Sequence, residues 1–137
     1  MPYLLDTNIL SELRKGRRCD SHVLEWAQAT AKERHYISVL SLGEIRKGIE
    51  ILRRRAPKQC PAFEKWLLSI ETEYEADILP ITDSISDQWG CLMAKQTLPV
   101  IDGLLAATAL THKLTVATRN TGDFKNSDVK VVNPYDC

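Results

Sequence analysis

Neither sign of charge is in excess in this chain: 18 lysines and arginines stand against 18 aspartates and glutamates over 137 residues. That balance excludes a global field that would gather polyanions or membranes, so any nucleic-acid affinity has to come from local patches. The four cysteines, Cys19, Cys60, Cys91 and Cys137, form no C-x-x-C pair, and His22, His35 and His112 are isolated from one another. This spacing argues against a thiolate zinc site and against a histidine general base of the metal-free ribonuclease kind. Reduced thiols in a cytoplasmic protein are the expectation. No basic segment leads into a long apolar run, and no stretch is long enough to span a bilayer, so no membrane contact is expected. Low-complexity tracts, repeats and linkers are also missing. A chain of this length suits one domain over residues 1–137 with its own core.

What is present is an alternation of short β-branched or aromatic runs with longer amphipathic ones. Tyr3, Leu4 and Leu5 read as a buried strand, and Ile9, Leu10 and Leu13 resume at helical spacing. A helix is expected over Ser21–Glu33, a strand at Tyr36, and a helix from Ser41 with Leu42, Ile45, Ile49 and Leu52 on one face. Phe63, Trp66, Leu67, Ile70 and Tyr74 mark a further helix, and 76–81 an edge strand, given Pro80. Ile85 to Met93 and 102–113 read as helices, and 114–118 and 129–132 as the last strands. Trp26, Trp66 and Trp89 lie on apolar stripes and read as core. Such alternation points to an α/β fold with a mainly parallel sheet covered on both faces. Sites in such folds gather beyond the carboxyl ends of the strands.

Four acids stand near such positions. Asp6 follows the first strand, Glu44 the second, and Asp123 the strand at 114–118, while Asp102 opens a helix in an apolar setting. Each has an ordinary structural explanation. Asp6 or Asn8 can cap a helix, Ser41 with Glu44 fits a capping box, Asp102 can cap its own helix, and Asp123 can be a turn acid. Taken together they suggest something else. Converging carboxylates raise each other's pKa unless a cation neutralises them. Oxygen ligands without histidine or cysteine suit Mg²⁺ or Mn²⁺. Two such ions, about 3.5–4 Å apart, can activate water and steady the leaving oxygen of a phosphodiester.

The segments LLDTNILSEL, SVLSLGEIRKGI, DGLLAATAL and ATRNTGDF occur in the order found in PIN domains. Together they resemble the VapC/FitB type of toxin ribonuclease from Leu4 to Phe124. The resemblance implies a three-layer α/β/α fold that binds Mg²⁺ or Mn²⁺ and cleaves RNA. It implies that Asp6, Glu44, Asp102 and Asp123 are the first to fourth metal acids, with catalytic roles. Asn8 and Thr118 fall at supporting polar positions. The resemblance also implies a homodimer silenced by a VapB-like antitoxin whose segment occupies the site, with DNA contacted only through that antitoxin.

Two basic clusters, Arg14 to Arg18 and Arg46 to Lys58, could contact an RNA backbone, with Arg53, Arg54 and Arg55 the foremost candidates. For any one of these residues a solvated helix face is the simpler explanation. The reading is therefore a metal-dependent endoribonuclease, the toxin half of a type II toxin–antitoxin pair. Two alternatives stay open: a PIN-like subunit that dimerises a DNA-binding antitoxin, and a metal-dependent nuclease acting on DNA.

Overall fold

A computed structural model describes residues 1–137. Five short strands form one sheet: β1 (Tyr3–Leu5), β2 (His35–Ser38), β3 (Ile78–Leu79), β4 (Thr115–Ala117) and β5 (Val131–Val132). Their order is β3-β2-β1-β4-β5, and every pairing is parallel. The chain thus lays strands to one side of β1, then crosses to the other side for β4. The crevice beyond β1 and β4 is the point where strand order reverses, the usual place for a ligand in an open parallel sheet.

Six helices cover the sheet: α1 (Thr7–Leu13), α2 (Ser21–Ala29), α3 (Val39–Arg55), α4 (Cys60–Glu73), α5 (Asp83–Lys95) and α6 (Val100–His112). Side chains alternate across a strand, and β1 shows the consequence. Leu4 packs with Val116, Leu92, Leu105, Ala106 and Phe124 on the α5/α6 face. Leu5 packs with Ala117, Ile37, Ile9, Trp26 and Ile70 on the face formed by α1, α2 and α4. Trp26 stacks on His35 with ring centroids 5.5 Å apart, which gives that histidine a structural setting. The three-layer α/β/α arrangement agrees with expectation. β3 lies at a sheet edge, as Pro80 implied.

Element boundaries differ from the sequence reading in ways that matter for the acids. The helix expected over Ser21–Glu33 stops at Ala29, and the strand after it begins at His35. α3 starts at Val39 rather than Ser41, because Ser38 is its N-cap and accepts the Leu40 N–H at 3.1 Å. The Ser41–Glu44 capping box therefore does not form. Glu44 stands well inside the helix, free of capping duty. α6 starts at Val100, so Asp102 lies in its first turn rather than at its cap. Next to it, Gly103 lets α6 pack closely on α5: a Cβ there would sit 3.0 Å from Met93 Sδ and 3.1 Å from Trp89 Nε1, so those side chains would have to give way.

Candidate active site

Asp6 is the most firmly held of the four acids. It leaves β1 with its backbone N–H donating to Ala117 O at 2.9 Å, which keeps it in the sheet plane beside β4. One carboxylate oxygen accepts the Thr7 N–H at 2.8 Å, so Asp6 is also the N-cap of α1. The other accepts the hydroxyl of fully buried Thr118 at 2.8 Å and the Asn8 side-chain amide at 3.3 Å. Asn8 reaches back to the loop after β4, accepting the Arg119 N–H at 3.1 Å. Thr118 Oγ1 accepts the Asn120 N–H at 3.0 Å. Asn8 and Thr118 thus hold the end of β1, the start of α1 and the chain leading to Asp123 together. Metal ligand and helix cap are compatible roles for Asp6, since each carboxylate oxygen has two lone pairs.

Glu44 is exposed on α3. Its carboxylate is nonetheless fixed, accepting the Thr7 hydroxyl at 2.6 Å. Thr7 Oγ1 also lies 3.0 Å from the hydroxyl of Ser41, a side chain with no exposure at all. Ser41 was read in the sequence only as a helix cap, and Thr7 went unnoticed there. The only sign was a hydroxyl residue wedged between Asp6 and Asn8, and its partner is 37 residues away.

Asp102 and Asp123 complete the group. Asp123 is exposed in a 3-10 turn, Thr121–Phe124, anchored by buried Phe124. Asp102 is half-buried, and its pKa is raised from 3.8 to about 6. Burial is the largest cause, followed by the charges of Asp123 and Asp6, with a further push from Glu44. All three other acids therefore act on this one group, although they come from three other places in the chain. None of the four acids is paired with a lysine or arginine.

The donor set is all oxygen and negatively charged, which suits a hard divalent cation. The carboxylates do not form a ready cage, since no three of them approach closely enough to hold one ion between them. Mg²⁺ usually keeps several waters and takes only one or two carboxylates directly. A loose acidic mouth fits that habit better than it fits a dehydrated ion.

The basic residues behave differently from one another. Arg53 is engaged, pairing with Glu50 at 3.1 Å and Glu64 at 2.6 Å. Arg46 pairs with the same two carboxylates, and its guanidinium meets Glu64 through two nitrogens at 2.8 Å each. These contacts tie α3 to α4. Arg54 and Arg55 are exposed in the last turn of α3 and make no such pair. In the first cluster, Lys15 is bound to Glu12 at 3.0 Å, and the Arg14 guanidinium lies 4.4 Å from the centre of the Phe63 ring.

Known proteins share this arrangement of strands and helices. Toxin FitB of Neisseria gonorrhoeae is 32% identical over 137 aligned residues, covering 96% of this chain and 97% of its own. VapC ribonuclease Y4jK of Sinorhizobium fredii is 32% identical over 139 residues, covering 97% of each. The crystal structure of FitAcB from Neisseria gonorrhoeae superposes with a TM-score of 0.85 at 31% identity, over 98% of this chain and 99% of that one. The PIN domain profile matches residues 3–130, a span that includes all four acids. By its sequence and by the parallel sheet that gathers those acids, the chain belongs to the PIN domain family.

Proposed function

We propose that this protein is a divalent-metal-dependent endoribonuclease that hydrolyses RNA phosphodiester bonds, as the toxin of a type II toxin–antitoxin pair. The observation that carries the reading is an acidic mouth beyond β1 in which Asp6, Glu44, Asp102 and Asp123 have no Lys or Arg paired to them, so that burial and then Asp123, Asp6 and Glu44 raise the Asp102 pKa. Four acids sharing one field without a cation among them are costly unless something positive is bound. The names of relatives supply the class of chemistry: Y4jK is called a ribonuclease and FitB a toxin.

Asp6, Glu44, Asp102 and Asp123 would hold Mg²⁺ or Mn²⁺. When bound, such an ion eases deprotonation of the attacking water and offsets charge developing on the phosphodiester. The chain's own residues prepare the site. Thr7, Asn8 and Thr118 lock the Asp6 carboxylate in one orientation, leaving lone pairs for the crevice. Thr7 holds Glu44. The Asp102 carboxyl, its pKa raised to about 6 by burial and then by Asp123 and Asp6, would give up its proton to hold the ion. Asp123, at the exposed rim, is open to solvent and ligand alike.

In this reading a VapB-like antitoxin restrains the nuclease, and two copies form a homodimer. The test is cleavage of RNA by purified protein with Mg²⁺ or Mn²⁺ and after thorough chelation. Metal-dependent cleavage is expected. Cleavage that persists unchanged after chelation defeats the proposal.

A further inference from the structure

Thr7 touches two of the four acids at once, from opposite ends of the same residue. Its backbone N–H donates to Asp6 at 2.8 Å and its hydroxyl to Glu44 at 2.6 Å. Asp6 has other holders in Thr118 and Asn8. Glu44 accepts from no other side chain or backbone group, and it extends from an exposed helix face where a glutamate ordinarily samples several rotamers.

The polarity of the contact follows from proton counting. A threonine hydroxyl has one hydrogen and the Glu44 carboxylate can only accept, so that hydrogen lies on the 2.6 Å bond. The Ser41 hydroxyl, 3.0 Å away and fully buried, must then donate to Thr7 Oγ1. Ser41 has one hydrogen to give and is buried away from bulk solvent. A chain Ser41 → Thr7 → Glu44 results, each member polarising the next, and it begins in the core of α3 at a site that cannot rotate freely.

We infer that Thr7, oriented by Ser41, is the positioning residue that holds Glu44 in register with Asp6 for cation binding. This deepens the metal reading of the site and rests on it. Groups that orient metal-binding carboxylates typically change metal affinity by about 10- to 100-fold when removed. A threonine that merely tied α1 to α3 would instead act on folding.

The test separates the two roles. Mg²⁺ and Mn²⁺ affinities are measured by calorimetry for the parent, Thr7→Val, Thr7→Ser and the double variant Thr7→Val/Ser41→Ala, with melting of each protein in chelator. Thr7→Val keeps the shape and loses the hydroxyl, so its affinity is expected to fall about tenfold or more. Thr7→Ser keeps the hydroxyl and is expected to match the parent. Thr7→Val alone orphans the Ser41 hydroxyl and loses stability for that reason. The double variant removes both hydroxyls, so it is expected to melt near the parent while still binding the ion weakly. If the double variant binds Mg²⁺ and Mn²⁺ as tightly as the parent, Thr7 is only a structural tie and the inference is overturned. A parent that binds neither ion overturns the metal reading itself, and this inference with it.

Discussion

The structure contains two groups of acids, and it treats them in opposite ways. On the α3/α4 surface, Glu50 and Glu64 are met by Arg46 and Arg53 at 2.6–3.1 Å. Hydrogen bonds from Arg46, then Arg53, hold the Glu64 carboxyl down to about 2. At the end of the sheet, burial and three like charges push Asp102 up to about 6. Glu44 and Glu50 even lie on the same helix. The chain therefore has the means to neutralise its acids internally and does so six residues from the site. The other group has no arginine paired to it, and that contrast is what the proposed cation site rests on.

The largest expected effect comes from removing a charge at the unneutralised group. Asp102→Asn should abolish RNA cleavage, and its metal-free form should melt no lower than the parent, because one repelling charge is gone. Mg²⁺ should raise the melting temperature of the parent by mass action and do so far less in the variant. Asp102→Ala sharpens the point. A lost helix cap costs about 0.5–2 kcal/mol, but the N-cap of α6 is Pro99 and Asp102 lies inside the first turn. Melting in chelator should therefore show no such penalty. Equal Mg²⁺ responses in parent and both variants, with cleavage retained, would erase the contrast between the two acid groups.

Next in size is a pH effect of definite sign. Asp102 has a folded pKa of about 6 against an ordinary 3.8. Between those values the folded state binds more protons than the unfolded one, so stability falls as pH rises through the window. Metal-free protein should lose this contribution by pH about 6, while the Mg²⁺ response grows across the same range as the proton stops competing. Asp102→Asn should flatten both trends in melting curves taken across that window.

Smaller is the effect on RNA affinity. Arg54 and Arg55 are free of carboxylate partners, whereas Arg53 is already spent on Glu50 and Glu64. Neutralising Arg54 and Arg55 should weaken binding and lower the salt slope by about 0.7 per lost phosphate contact on single-stranded RNA. Arg53→Gln should change that slope little. Equal slopes throughout would make the stretch solvated surface only.

The smallest effect belongs to the neutralised group. Glu64→Gln should give a modest loss of melting temperature that fades at high salt, since exposed pairs are screened. The Glu64 pKa is depressed, so its contribution is present above the ordinary carboxylate value of 4.5 and is lost as pH falls towards 2. Its Mg²⁺ response should equal that of the parent.

The sequence by itself determined the alternation of strands and helices and the parallel sheet, and it singled out the four acids that the resemblance implies. Those features are written in local hydrophobic period and in segments of recognisable order, such as LLDTN and TGDF. It also marked Asn8 and Thr118, though not what they hold. Boundaries were less legible, because Ser38 and Ser41 are both adequate caps and only the length of β2 decides between them. The partnerships were decided by tertiary structure alone. Thr7 meets Glu44 because α1 and α3 leave neighbouring strands on the same side of the sheet. Arg53 is taken by Glu64 because α4 folds back along α3. Asp102 is raised because its place in the first turn of α6 half-buries it and then brings it into the field of acids from three distant segments. Hydrophobic period can be read along a chain, but electrostatic fields and hydrogen-bond partners depend on distances through space, which only the folded chain sets.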